Sequence, residues 1–113
     1  MKNSYLDELK NLIEQASPKL ASSDALEFKN VFGAVAGYVH GNIFITCGKF
    51  GVALKLPSET LEKLLKEKDV EQLRYFPKGH IKKEYAVLPE RILKNDGLFR
   101  EMLDESMKYA RGL

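Results

Sequence analysis

The chain has 113 residues, of which 44% are hydrophobic and 30% charged, and its formal net charge is +2. A chain of this length buries a single core, and its apolar content and small net charge exclude an intrinsically disordered protein. The single cysteine excludes an internal disulfide framework. We find neither an apolar secretory signal nor an apolar run long enough to span a bilayer. We therefore expect one cytoplasmic domain over residues 1–113.

The first 16 residues predict an amphipathic helix. Its apolar residues recur at intervals of three and four, so they share one side of the helix: Leu6, Leu9, Leu12, Ile13 and Ala16. Asn3 or Ser4 can accept a hydrogen bond from an orphan backbone N–H and cap the start. Because the residue before a proline avoids the helical conformation, Ser17-Pro18 should end this helix. A further short turn can be capped within 22–24.

Residues 28–56 have the composition of β-strands, with many glycine, β-branched and aromatic residues. Glycine and asparagine tolerate the positive φ that hairpin turns require, which predicts turns at 40–42 and 48–51. The strands expected from these turns are 28–39, 43–47 and 51–56. Within the first of them, Gly33 and Gly37 should mark a bulge or a close backbone contact.

Strict alternation along the middle strand assigns its side chains to two faces. Ile43, Ile45 and Cys47 fall on one face, and Phe44 and Thr46 fall on the other.

The second half predicts two more strands between helices. Ser58 suits the N-cap of a helix whose buried stripe is Leu61, Leu64 and Leu65. Strands follow at 73–76 and 83–88, joined through a β-turn at 76–79. A brief helical turn starts at Pro89, and a last helix is capped by Asn95-Asp96. The order α-β-β-β-α-β-β-α predicts an α+β two-layer sandwich with a five-stranded antiparallel sheet.

No recognisable catalytic or cofactor motif is assembled in the sequence. His40, His80 and Cys47 lack the spacing of metal ligands, so we expect no metal site and no cofactor. Gly48-Lys49 lacks the remaining residues of a phosphate-binding loop. Cys47 lies among isoleucines, as a small buried apolar residue does, rather than beside a general base. We therefore assign no catalytic residue and expect a protein that is not an enzyme.

A basic segment over 74–85 is the most informative charge feature. Its cationic residues outnumber its one carboxylate, Glu84, by three, and the predicted interaction surface consists of Arg74, Lys78, His80, Lys82 and Lys83. Tyr75, Phe76 and Tyr85 are interleaved, and basic residues with aromatics can contact phosphates and stack on bases. The alternative, which the near-neutral whole chain favours, is a solvated hairpin with Phe76 and one tyrosine in the core.

Several blocks in a fixed order resemble the N-terminal domain of the TfoX/Sxy family. They cover about 28–110 and comprise Val31-Phe32-Gly33-Ala34, Tyr38, the Gly41 turn, Phe44, the 52–56 strand, Tyr75-Phe76-Pro77-Lys78-Gly79, Tyr85 and Pro89-Glu90. The family usually has methionine where Val31 stands and often a further glycine where Ala34 stands. The resemblance implies an α+β fold of the secretion-chaperone type, with Phe32, Phe44 and Phe76 in the core and Gly33, Gly41 and Gly79 as backbone requirements.

The same resemblance implies a regulatory function. Full-length members resemble regulators of bacterial competence, which act on DNA-uptake genes with a cyclic-AMP-dependent activator and carry a C-terminal domain. The chain ends at Leu113, so we expect a stand-alone N-terminal domain. The first hypothesis is a non-enzymatic regulatory or adaptor domain that binds a protein partner such as a transcription regulator. The alternatives are nucleic-acid binding through 74–83 and small-molecule binding between sheet and helices.

The oligomeric state is left open by the sequence. The chain could be a monomer, or a homodimer formed through a sheet edge or the Tyr85 strand.

Overall fold

A computed structural model describes residues 4–16, 25–31, 33–74 and 78–112, without the side chain of Ser4. Four helices and six strands are formed by these residues. In chain order they are α1 (Ser4–Ala16), β1 (Leu26–Val31), β2 (Ala34–Val39), β3 (Asn42–Gly48), β4 (Gly51–Lys55), α2 (Ser58–Leu65), β5 (Glu71–Leu73), β6 (Lys82–Leu88), α3 (Glu90–Leu93) and α4 (Asp96–Arg111).

The six strands form one antiparallel sheet in the order β1-β2-β3-β4-β6-β5. The expected α+β class is confirmed, but the expected number of five strands is wrong. The segment 28–39 is not one strand, because the chain reverses after Val31, which pairs with Ala34. Gly33 has a φ of 79°, in the left-handed region that glycine adopts without a Cβ clash. Gly33 therefore serves a turn and not a bulge.

Both predicted hairpin turns are confirmed. His40 and Gly41 form the two-residue connection from β2 to β3, with φ values of 51° and 78°. Two positive φ values are the signature of the turn whose twist matches that of the flanking strands. Gly48 pairs with Gly51 across the next reversal, and Gly51 has a φ of 109°.

A β-bulge in β3 overturns the alternation predicted for that strand. Gly37 of β2 pairs with Ile45, but the next residue of β2, Tyr38, pairs with Ile43, so Phe44 has no partner in β2. One extra residue shifts the faces of the strand beyond it. Phe44 consequently joins Ile45 and Cys47 in the main core, while Ile43 packs on a second cluster formed by Ala53, Leu73 and Tyr85.

The main core lies between the sheet and helices α1 and α4. Its largest fully buried side chains include Leu9 of α1, Phe44 of β3, and Phe99 and Leu103 of α4. The Ser106 hydroxyl of α4 lies 2.8 Å from the carbonyl oxygen of Phe44 and 2.6 Å from that of Lys55. A hydroxyl has one proton, so the two carbonyls share this donor, which ties α4 to the bulge. The expected core position of Phe44 is confirmed.

The helix starts differ by one residue from those predicted. Pro57 occupies the N-cap of α2 in place of Ser58, and Pro89 occupies the N-cap of α3 rather than its first position. Asn95 caps α4 as predicted, since its Oδ1 accepts a hydrogen bond from the backbone N–H of Leu98 at 3.1 Å. The predicted features at Asn3, Ser17-Pro18 and 22–24 lie outside the described residues.

The last hairpin begins earlier than predicted. β5 covers Glu71–Leu73 instead of 73–76, and β6 begins at Lys82 instead of residue 83. Phe32, Tyr75, Phe76 and Pro77, together with their predicted core and turn positions, lie outside the described residues. β6 is an interior strand between β4 and β5. Among the described residues, β4 pairs with β6 over 85–88 and β5 pairs with it at 82, 86 and 87, so the Tyr85 strand is not an edge of this sheet.

Candidate protein-binding groove

A groove of about 920 Å³ opens at one end of the sheet, where β3 ends and β4 begins. We call it the sheet-end groove. One wall is α1, whose Tyr5, Glu8, Leu12 and Gln15 recur every three or four residues and so share one side of the helix. A second wall comprises α3 and residues Asp69 and Glu71. The groove is thus built from parts of the chain that are distant in sequence.

The sheet-end groove combines apolar surface with negative charge. Half-buried apolar side chains from three elements and from the β3–β4 turn line it, namely Tyr5, Leu12, Val87, Leu93 and, in the turn, Phe50. Five exposed carboxylates line it as well, against one lysine, Lys94: these are Glu8, Asp69, Glu71, Glu90 and Asp96. A groove lined by apolar side chains and by negatively charged carboxylates suits a ligand that is both basic and partly apolar.

Arg91 fixes the α3 wall of the groove. Its guanidinium donates to both carboxylate oxygens of Asp69, at 2.6 and 2.7 Å, and also bonds Glu67. A bidentate pair of this kind has a defined geometry, so it holds α3 against the loop after α2. The Arg91 guanidinium lowers the pKa of the Asp69 carboxyl through this hydrogen bond. Asp69 therefore stays ionised with its charge offset by Arg91, and the other negative charges of the groove come from Glu8, Glu71, Glu90 and Asp96.

Cys47 lies beside the groove and is fully buried. Its thiol Sγ donates to Oε2 of Glu8 at 3.0 Å. Burial, followed by this hydrogen bond and the negative charge of Glu8, raises the pKa of the Cys47 thiol from 9.0 to about 12. Because the thiolate is the nucleophilic form, this thiol is suppressed rather than activated. The prediction of a structural cysteine agrees with this environment, and the bond to Glu8 helps fix a groove carboxylate.

The buried thiol should make the stability of the domain fall in mild alkali. The folded pKa is raised, so the stability that the neutral thiol contributes is complete below pH 9.0, where the unfolded thiol ionises. It is lost as the pH rises from there, by roughly 1.4 kcal/mol per unit for this one group. Urea unfolding at about pH 8 and about pH 10 measures the change.

Cys47→Ala is the control for this prediction, because tyrosines and lysines also titrate in alkali. The difference in unfolding free energy between the natural chain and the variant should shrink as the pH rises above 9.0. A difference that stays constant with pH would contradict the environment described for the thiol.

The residues of the predicted basic surface are all exposed: Arg74, Lys78, His80, Lys82 and Lys83. Arg74 follows β5, and its guanidinium donates to the carbonyl oxygen of Gly79 at 3.0 Å, which closes the loop on itself. Lys82 and Lys83 begin β6, and Lys82 pairs with Leu73 where the register with β5 is irregular. The five exposed groups thus belong to the segment 74–83, with β5 before it and the start of β6 at its end. The basic surface stays a prediction.

Tyr85 is not available for stacking on a base. It is 9% exposed and packs in the second cluster with Ala53 and Leu73. This is the position that the solvated-hairpin interpretation assigned to one tyrosine, whereas Tyr75 and Phe76 lie outside the described residues.

The structure also bears on the histidine, metal, membrane and small-molecule features considered in the sequence. His40 has the positive φ of a hairpin turn. Within residues 4–16, 25–31, 33–74 and 78–112, no three His, Cys, Asp or Glu side chains are grouped so that they could hold a metal ion. Over the same residues, no helix has both the length and the apolar character needed to cross a membrane. The main core fills the space between the sheet and helices α1 and α4, whereas the sheet-end groove is an opening lined by both sheet and helix residues. Small-molecule binding between sheet and helices stays a prediction.

The groove itself escaped the sequence analysis. Its carboxylates are dispersed from residue 8 to residue 96 and alternate with lysines, which is the pattern of ordinary solvated helices. One signal was available, the recurrence of Tyr5, Glu8 and Leu12 on a side of α1 that also carries half-buried apolar residues. That signal has a meaning only in the fold, which brings α1 and α3 to the same groove.

Comparison with known proteins bears on the family of the chain. No curated protein and no solved structure matches it. One family model does match, that of the TfoX N-terminal domain, over residues 19–110. This range is most of the 113 residues and includes every strand of the sheet and the α3 wall of the groove. The chain therefore belongs to the TfoX N-terminal domain family.

Proposed function

We propose that this chain is a non-enzymatic regulatory adaptor in the control of transcription, competence genes included, and that it acts by binding another protein. Membership of the TfoX N-terminal domain family supports the regulatory part. The sheet-end groove is the observation that carries the binding part. Its occupant is a segment of the partner protein that carries lysine or arginine beside apolar side chains.

The composition of the groove selects this occupant. Five carboxylates face one lysine, and Arg91 behind Asp69 offsets one more charge, so the groove retains a net charge of about −3. A further negative charge placed there would be repelled, which disfavours acidic segments. The half-buried Tyr5, Leu12 and Phe50 would gain from the removal of their exposed apolar surface.

Reversing two groove charges should abolish this binding. Glu71→Lys and Glu90→Lys in one chain change exposed residues, so the fold is expected to persist while the groove becomes basic. We expect at least about a tenfold loss of affinity for a labelled peptide of alternating lysine and leucine, because two attractions become repulsions. Fluorescence anisotropy of the peptide, titrated with natural and variant chains, measures the loss.

The matched control reverses two carboxylates outside the groove, by Glu62→Lys and Glu101→Lys. Both residues are exposed on helices and do not line the groove. This control changes the net charge equally but should bind the peptide almost as well as the natural chain. The same three chains, used as baits in a bacterial lysate, should capture a common protein that only the groove variant fails to hold. Equal binding by all three would refute the groove as the site.

Nucleic-acid binding through the predicted basic surface is tested by the same set of chains. A duplex bound through Arg74, Lys78, Lys82 and Lys83 would have an affinity that falls steeply with salt. It would also bind more tightly to both charge-reversed chains, the groove variant and the control. An adaptor that acts through the groove shows neither behaviour.

A further inference from the structure

The outer edge of β1 carries a sequence that is complementary to itself. β1 is the first strand in the order of the sheet, and among the described residues only β2 pairs with it. An edge strand presents a row of backbone N–H and C=O groups that can pair with a further strand. Its exposed side chains alternate in charge, with Glu27 and Lys29 two residues apart on one face and Phe28 between them on the other.

We infer that two copies of this chain form a homodimer by antiparallel pairing of their β1 edges about a two-fold axis at Phe28, with Glu27 of each copy opposite Lys29 of the other. This interface is separate from the sheet-end groove, which lies at the end of β3 and β4, so the inference goes beyond the proposed function. It would join two six-stranded sheets into one.

The two-fold axis follows from the arithmetic of the strand. In an antiparallel pair the sum of two opposed residue numbers is constant, so placing Phe28 opposite itself also places Glu27 opposite Lys29. Symmetry repeats the contact, which gives two opposite-charge pairs for one register. Directly opposed side chains of an antiparallel pair are close enough for their charges to stabilise the pairing.

The neighbouring registers are disfavoured by the same residues. A shift in one direction places Glu27 opposite Glu27, and a shift in the other places Lys29 opposite Lys29, so each opposes like charges on the two-fold axis. Lysine at a sheet edge ordinarily discourages pairing. In this dimer each Lys29 faces Glu27 of the other copy, so the lysine favours the one register in which the two are opposed.

The other face of β1 suits the same arrangement. Phe28 is half-buried on the helix side of the sheet, and Nζ of Lys10 on α1 lies 5.6 Å from the centre of its ring. Two-fold pairing brings the two Phe28 rings beside each other, which covers apolar surface that the single copy leaves partly exposed. On the opposite face Nζ of Lys29 lies 5.1 Å from the ring of Tyr38, a contact that holds the lysine above the sheet.

Charge-reversal variants of the whole chain test this register by sedimentation equilibrium. Glu27→Lys alone and Lys29→Glu alone each convert two attractions into two repulsions, and we expect self-association to weaken at least about tenfold. The double variant E27K/K29E restores opposite charges at both positions and should associate like the natural chain. An equal mixture of the two single variants should form a heterodimer, since one copy is basic at both positions and the other acidic.

Glu62→Lys and Lys63→Glu are the matched controls. Both residues are exposed and belong to α2, which is not part of the proposed β1 interface. Neither should alter self-association. Circular dichroism checks that each variant is folded. If a reversal unfolds the domain, the neutral pair Glu27→Gln and Lys29→Gln should still weaken the dimer, by a smaller factor.

Three results would overturn the inference. The first is a natural chain that stays monomeric at the highest concentration reached. The second is a dimer that neither single reversal weakens, which would place the interface elsewhere. The third is a mixture of the two single variants that fails to associate. Only the proposed register predicts that this mixture recovers association, so its failure would exclude that register.

Discussion

Replacing Phe44 with alanine will lower the free energy of unfolding by about 3–5 kcal/mol. Phe44 is fully buried in the main core, and the bulge in β3 is the reason that it points there. Truncation removes a ring from between the sheet and α4 and leaves a cavity that the surrounding strands fill only in part. Since small domains are stable by about 5–15 kcal/mol in total, the loss approaches the stability of the fold. Urea unfolding followed by circular dichroism measures it.

Ile43→Ala is the comparison that makes this result specific to the bulge. Strict alternation assigns Ile43 to the face shared with Ile45 and Cys47, where truncation would cost about 2–5 kcal/mol. The structure instead leaves it half-buried beside the small second cluster. We therefore expect a loss of about 1 kcal/mol, because much of the side chain is already in contact with water. A larger loss of stability for Ile43→Ala than for Phe44→Ala would contradict the bulge and support a strand with regular alternation.

The second large effect is expected at Gly37, the glycine beside the bulge. A Cβ there would lie 2.7 Å from Cγ2 of Ile45 and 3.3 Å from the Phe28 ring. No real Cβ contact is that short, so Gly37→Ala must displace packed neighbours, and overpacking of this kind costs about 1–3 kcal/mol. The change in the urea midpoint, with an unchanged slope, measures the cost.

Gly97→Ala is the same chemical change with the opposite expected sign. Gly97 lies in the first turn of α4, and an added Cβ would meet only Oδ1 of Asn95, at 3.8 Å. Alanine restricts the unfolded chain and favours the helix, so a gain of about 0.4–1 kcal/mol is expected. If both variants destabilise equally, the close packing at Gly37 is not the cause of its effect.

Much of the fold could be predicted from local sequence because its determinants are local. The turns at His40-Gly41 and Gly48–Gly51 require backbone conformations that few residues other than glycine adopt, and Asn95 caps α4 through its own side chain. The recurrence of apolar residues in α1 is likewise a property of the segment itself.

The bulge in β3 could not be predicted in the same way. Alternation assumes that each residue of a strand has one partner, and Phe44 departs from that assumption only because Tyr38 pairs with Ile43. Phe44 is the extra residue of the bulge, and its carbonyl accepts a hydrogen bond from Ser106 of α4, which lies 62 positions away in the chain. A hydrogen bond over that separation leaves no trace in a window of neighbouring residues.

The basic surface could be proposed from the sequence, whereas the sheet-end groove could not, because only the basic residues are neighbours in the chain. The basic residues at 74–83 lie close enough along the chain to be noticed in the sequence. The groove carboxylates come from α1, the segment at 69–71, α3 and the start of α4. Only the fold brings them together, so a site of this kind is found by assembling the elements.

Nuclear magnetic resonance gives the most direct test of the central claim, which is that the sheet-end groove binds a basic and partly apolar segment. An isotope-labelled chain is titrated with the lysine–leucine peptide and the shifts of its backbone amides are followed. The account predicts that the largest changes cluster at the groove, around Tyr5, Glu8, Phe50, Glu71 and Leu93. Changes confined to the 74–83 hairpin or to the far end of the sheet, or no saturable change at all, would contradict it.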